Sequence, residues 1–178
     1  MKRIIFLVFV ILTTLGSCEK DDICAEETLT TPQLVLRFYD LAAQEETKNV
    51  NGLYAYALDD EDNVILINGL SIGTRDSILV PLRTDMNTTR FVLHKEFDFD
   101  DNGTPDDTSD DVLLGNPEVI TVNYEREDVF VSRACGYKTV FNNISFSVAV
   151  DSDNWIINSE IINPNVENEI SAHVKIFH

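Results

Sequence analysis

Apolar and polar residues alternate along most of this chain with a period of two, the repeat of an extended strand that buries one face. Leu34, Leu36 and Phe38 alternate with Val35, Arg37 and Tyr39, and Asp40 ends the run. A polar connection follows over 41–50, with room for a helical turn at 42–45. Further apolar runs lie at 53–58, 64–67, 77–82, 89–97, 119–125, 128–132, 155–162 and 172–177. The cleanest alternation sets Ile144, Phe146, Val148 and Val150 against Ser145, Ser147 and Ala149. In the last run, the same period puts His173 and Lys175 on a solvated face opposite Val174 and Ile176. Pro81 cannot donate to a ladder, so the run containing it belongs at a sheet edge or ends there. Acidic turns at 59–63, 98–111 and 151–154, with Gly69, Gly73 and Pro164, punctuate the runs. No useful length has helical periodicity. The pattern predicts an all-β protein, a single β-sandwich of about eight or nine strands over residues 32–178, immunoglobulin-like or prealbumin-like.

The N-terminus reads differently. Lys2 and Arg3 precede an unbroken apolar stretch at 4–12, and small and polar residues follow. This is the layout of a secretory signal. The stretch is well short of the roughly 20 residues that a membrane-spanning helix needs. Leu15-Gly16-Ser17-Cys18 resembles the lipobox of bacterial lipoproteins, so residues 1–17 are expected to be removed and Cys18 to become the lipid-bearing first residue. Two or more acyl chains anchor stably where one does so only marginally, at about 0.8 kcal/mol per buried CH₂. Residues 18–31 then form a lipidated acidic tether.

Removing Lys2 and Arg3 takes the formal charge from −18 to −20. Such acidity excludes nucleic acid as a partner, because phosphates need Lys and Arg to neutralise them. It also argues against adhesion of the folded domain to anionic membrane, leaving the acyl chains as the attachment. With Cys18 lipidated, Cys24 and Cys135 remain, an even number in a compartment where disulfides persist. We expect them to be bridged. Closing a loop of about 100 residues removes roughly 4–5 kcal/mol of unfolded-state entropy in the chain model. Buried free thiols are the alternative state of such a pair, but Cys24 sits among Asp21, Asp22, Glu26 and Glu27, a poor core environment.

One loop has candidate ion chemistry. Asp98-Phe99-Asp100-Asp101-Asn102-Gly103 matches the opening of a calcium loop. Oxygens of Asp98, Asp100, Asn102 and Asp106 could turn onto one Ca²⁺, and Gly103 permits the bend. Ser109 stands where an EF-hand carries its bidentate Glu, and no flanking helices are visible, so the expectation is at most a calcium-ordered hairpin loop. A solvated acidic loop is the competing reading. Neither G-x-S-x-G nor H-E-x-x-H occurs, and His94, His173 and His178 are scattered, which leaves an envelope hydrolase as a minor alternative. Aromatics such as Tyr54, Tyr56, Phe91, Tyr124, Phe130, Tyr137, Phe141 and Trp155 could include a binding platform, although period two assigns most of them to the core.

Cys18-Glu19-Lys20-Asp21-Asp22 is similar to the acidic export signal of Bacteroidota lipoproteins, in which Glu19, Lys20, Asp21 and Asp22 would mark the protein for the outer leaflet. The mature chain resembles an uncharacterised flavobacterial lipoprotein family, a domain of unknown function. The resembling stretches are Asp22-Ile23-Cys24, Thr31-Pro32 with Phe38-Tyr39-Asp40, Ser132-Arg133-Ala134-Cys135-Gly136-Tyr137-Lys138, Asn142-Asn143 and Ala172-His173-Val174-Lys175-Ile176. The resemblance implies an outer-membrane lipoprotein at the cell surface, with the periplasmic leaflet as the alternative. It implies no catalytic residues. The expectation is a membrane-anchored interaction or accessory module with an envelope protein or glycan partner.

Overall fold

A computed structural model describes Cys24, residues 31–107 and residues 109–178. The signal segment, Cys18, Glu19, Lys20, Asp21 and Asp22 lie outside the described residues. The described chain is all-β. In order, the strands are β1 (Leu34–Tyr39), β2 (Val50–Leu58), β3 (Val64–Leu66), β4 (Gly73–Arg75), β5 (Ser77–Val80), β6 (Thr88–Asp100), β7 (Val112–Ser132), β8 (Gly136–Val148), β9 (Asn158–Ile161) and β10 (Val174–Phe177).

Two open sheets face each other. The smaller has the order β5-β1-β10-β9, and the larger runs β3-β2-β6-β7-β8 with β4 also paired to β2. β1 and β10 are parallel, with Leu36 opposite Val174 and Phe38 opposite Ile176. The remaining ladders are antiparallel. The alternation explains the layering. Leu34, Leu36 and Phe38 of β1, with Val174 and Ile176 of β10, turn inward onto Leu53, Ala55, Phe91, Leu93, Ile120 and Val122 of the larger sheet. Pro81 behaves as its chemistry requires, because β5 is an edge strand and stops at Val80.

The structure differs from the pattern reading in several places: β6 continues through Asp100 into the segment read as an acidic turn, β7 already starts at Val112, β8 starts at Gly136 ahead of the run at Ile144, and β9 covers only Asn158–Ile161. Runs predicted at 119–125 and 128–132 belong to one long strand, β7, whose ladder to β8 absorbs a bulge between Asn123 and Glu125. The short β4 adds a strand, so ten are present rather than eight or nine. His173 is not on a solvated face. It precedes β10 and is almost wholly buried, where its Nδ1 accepts the Val35 N–H at 3.0 Å while its own N–H donates to the Val35 carbonyl at 2.9 Å. The period-two rule failed there because His173 lies outside β10 and bonds to β1 as a side chain.

A second irregularity crosses three strands at one level. Glu96 on β6 has φ 54°, and the register to β7 slips between Lys95 and Asp98. Its neighbours are Gly52 on β2 and Gly115 on β7, both at positive φ. A Cβ on Gly115 would lie 2.5 Å from the carbonyl oxygens of both Lys95 and Glu96, so only glycine fits. Beyond this bulge β6 and β7 continue as a two-stranded arm that ends in the acidic loop.

Candidate functional site

The chemistry this fold exposes is apolar, and it lies on the outer face of the larger sheet. Tyr54 and Tyr56 alternate with the core residues Leu53 and Ala55, so they project away from the core. Phe97 packs on Tyr54 with ring centroids 4.7 Å apart, and His94 lies 4.9 Å from the Phe97 ring and 6.4 Å from Tyr56. Around these rings Val64, Leu66, Ile72, Phe99 and Leu113 complete a groove of about 460 Å³ in which Ser71 is the only aliphatic polar side chain among the described residues. Leu66 is 68% exposed and Phe99 56% exposed. Contiguous exposed apolar surface of this kind marks an interaction site more often than scattered apolar residues do.

The groove is bordered by an open sheet edge. β3 is the terminal strand of the larger sheet, and its residues Val64, Ile65 and Leu66 are all exposed. Among the described residues no strand pairs with its outer side. Its free N–H and C=O groups are a template for one more strand, and nothing in its side chains blunts that edge.

Beneath the aromatic roof, His94 is buried and neither ring nitrogen makes a well-formed hydrogen bond. Burial pushes its pKa down, against a smaller opposing influence from the Gly115 backbone. His94 is therefore a neutral ring held inside an aromatic cluster and positioned by the bulge at Glu96. Burial likewise lowers His173 and His178 and raises the Tyr56 phenol. The three histidines sit in different places, on β6, before β10 and at the chain end, and do not converge.

A larger hollow of about 790 Å³ lies between the β2–β3 turn and the segment after β5. Both arginines that line it are ion-paired. Arg83 binds Asp60 at 3.1 Å and Asp85 at 2.8 Å, which holds the Asp85 carboxyl at about 2. Arg90 pairs with Asp62 at 2.5 Å.

Asp98 and Asp100 lie at the end of β6 rather than in the turn expected at 98–111, and the carboxylates of the acidic segment bond to nearby backbone and hydroxyl groups rather than facing one another. Asp98 Oδ1 accepts from the Phe99 N–H, and Asp100 Oδ1 accepts from the Asn102 N–H. Asn102 donates its side-chain amide to the Asp110 carbonyl, and Asp106 is exposed. Among the described residues no group of three or more His, Cys, Asp or Glu side chains is gathered in a way that could hold a metal ion. Asp98, Asp100, Asn102 and Asp106 are thus near in sequence but not brought onto one point.

Cys24 and Cys135 are joined in a disulfide with Cα atoms 4.9 Å apart. Cys135 lies in the turn between β7 and β8, where its N–H donates to Ser132 Oγ at 3.0 Å. The bond ties the start of the described chain to that turn across 111 residues.

Sequence reasoning missed one buried carboxylate. Glu118 has no exposed surface and lies in phase with Ile120, Val122 and Tyr124, the inward positions of β7. Its Oε1 accepts the Trp155 N–H at 2.5 Å and the Ile156 N–H at 3.4 Å, and its Oε2 accepts from the Asn154 amide. Burial is the largest influence on its pKa and pushes it up. The signal was present in the sequence as an acid in step with an apolar face. Glu118 anchors the segment between β8 and β9 and has no access to substrate.

The fold defines a two-sheet all-β protein with an open apolar edge and a disulfide-tied leader. The chain belongs to a family of unknown function, DUF6452, whose model matches residues 52–178. No curated protein and no solved structure matches it.

Proposed function

We propose that the protein is a lipid-anchored accessory module of the cell envelope that captures an extended apolar segment of a partner protein at β3. The observation that carries this reading is the groove lined by Tyr54, Tyr56, Leu66, Phe97 and Phe99 beside the unpaired β3 edge. Strand addition draws affinity from main-chain hydrogen bonds and specificity from pockets for alternate side chains, and this surface offers both. A glycan would need several convergent polar groups, which the groove lacks, so a protein segment fits better than a sugar. The lipobox-like Leu15-Gly16-Ser17-Cys18 supports the anchor, with diacylglycerol and an amide-linked acyl chain on Cys18. Glu19, Lys20, Asp21 and Asp22 support the outer leaflet and the cell surface. No gathered set of carboxylates among the described residues favours a calcium-binding reading, and no convergent histidine favours a hydrolase.

The test is a photo-crosslinking residue placed in intact cells at Ile65 on β3, and as a control at Ser145 on β8, both exposed. A discrete adduct at Ile65 that is absent at Ser145 and lost with Leu66→Asp is expected. Equal labelling at the two positions, or none at Ile65, would overturn the strand-capture reading. Leu66 is largely exposed, so the Leu66→Asp change should move stability by no more than about 0.5 kcal/mol, which keeps lost binding separate from lost folding.

A further inference from the structure

A second apolar surface lies at the other end of β7, and the leader ends there. At the β7–β8 turn Phe130 and Tyr137 face each other across the ladder, with ring centroids 5.4 Å apart in an edge-to-face pair. They are 56% and 70% exposed. Neither ring belongs to the core. The adjoining loop reaches the same end, because Lys138 Nζ donates to the Glu167 carbonyl at 3.3 Å. That loop carries Ile170, which is 90% exposed. Thr31, where the continuous described chain begins, also lies there, with its Oγ1 accepting the Thr139 N–H at 3.1 Å. In a chain of net charge −18, residues 129–138 contain no carboxylate and carry Arg133 and Lys138.

We infer that this end of the molecule, with Phe130 and Tyr137 at its tip, docks into the headgroup layer of the membrane that holds Cys18. The inference rests on the lipid-anchor reading above. The argument is one of reach. Cys24 is bonded to Cys135, between the two rings in sequence, so six residue steps separate Cys18 from the tip. Fully extended they span about 20 Å. A surface held that close to a bilayer meets it at high effective concentration, so a weak affinity of its own is enough to dock it. Aromatic rings settle at the headgroup level, where an apolar body and a polar edge are both accommodated. Arg133 and Lys138 would lie among phosphates, and the carboxylates that come with the tip, Asp128, Glu167 and Glu169 together with Asp21, Asp22, Glu26 and Glu27 beside Cys24 in the sequence, set a limit on how anionic the favoured lipid can be. The acidic loop, with seven of the chain's 31 carboxylates, lies at the opposite end of β7, so the densest run of negative charge is kept away from the surface.

The experiment uses the full lipidated chain in vesicles of phosphatidylethanolamine with a minor share of phosphatidylglycerol, with bromine on the upper acyl carbons as quencher. Tryptophan is introduced as Phe130→Trp, as Tyr137→Trp, and as Phe99→Trp near the far end, each read against the constant background of buried Trp155. Docking predicts loss of about half the added fluorescence for the Phe130→Trp or Tyr137→Trp protein and none for Phe99→Trp, the depth expected of interfacial rings. Two tip probes guard against one variant failing to fold. Vesicle flotation and the mass of the N-terminal peptide are measured on the same samples. Flotation with an acylated Cys18 but no quenching at either tip probe overturns docking and leaves the anchor standing. A Cys18 without acyl mass overturns both.

Discussion

Replacing Glu118 with glutamine tests the reading of that buried carboxylate as an all-acceptor clamp. Its two oxygens face only donors: the Trp155 and Ile156 N–H groups on one side and the Asn154 amide on the other. Glutamine keeps the shape but turns one oxygen into an NH₂, which must then face a donor. Asn154 cannot relieve the clash by flipping. Its Oδ1 accepts the Asp151 N–H at 3.0 Å, and its Nδ2 also donates to the Ala149 carbonyl at 2.9 Å. One buried donor is left unsatisfied whichever way the new amide turns, at a cost of about 1–3 kcal/mol. Removing the desolvated charge recovers part of this, because burial already disfavours the ionised carboxyl. The expected net loss is about 1–2 kcal/mol at neutral pH. Urea unfolding should show it as a lower midpoint at unchanged slope, or as a Tm lower by roughly 2–8 °C for a chain of this size. Because the clamp holds the segment before β9, amide exchange at Trp155 and Ile156 should accelerate as well. A Glu118→Gln protein as stable as the wild type, with protected Trp155 and Ile156 amides, would refute the clamp.

Two other changes probe the bulge and the histidines. Gly115→Ala puts a methyl within 2.5 Å of two carbonyl oxygens at φ +104°, so a loss of about 2–4 kcal/mol in the same urea assay is expected, and a neutral effect would show that the three-strand bulge relaxes freely. Burial lowers His94, His173 and His178 below the ordinary 6.5, so between the folded and unfolded values the unfolded chain binds more protons. The stability this represents is present above about pH 6.5 and is lost as pH falls towards the folded values. Midpoints should therefore be lower near pH 5.5 than near pH 7.5, with a smaller difference in His173→Gln, whose Oε1 can still accept from Val35. Equal midpoints across that window would contradict the burial argument.

Much of the fold was legible because one face of most strands is packed. β1 could be read from Leu34, Leu36 and Phe38, and the end of β5 from Pro81, since local chemistry and core packing agree there. The pattern splits β7 into runs at 119–125 and 128–132 because Arg126 and Glu127 between them are exposed and polar, and a ladder continuing past a bulge leaves no apolar trace. The groove was harder to read for a different reason. Tyr54, Leu66, Phe97 and Leu113 come from separate strands, and each has the apolar spacing of a core residue. Only the topology shows that no described strand packs over their face. Asp98, Asp100 and Asn102 have a ligand-like spacing, but the first two lie in the β6 ladder and all three side chains bond to nearby backbone, which sequence spacing alone does not distinguish from coordination.

The disulfide also fixes the path by which mechanical load enters the protein. A pull on the chain upstream of Cys24 would otherwise arrive at Thr31 and peel β1 from β10, breaking the short ladder from Leu36–Val174 to Tyr39–Phe177 one rung at a time. The Cys24–Cys135 bond diverts that force to the turn joining β7 and β8. There it runs along the axes of two long strands and loads the β6–β7 rungs from Thr88–Asn123 onward in shear, many at once. The small sheet, with its parallel pair of terminal strands, is left out of the load path altogether. Reduction would therefore change which part of the molecule yields first under tension, from the β7–β8 hairpin at the edge of the large sheet to the first strand of the small one.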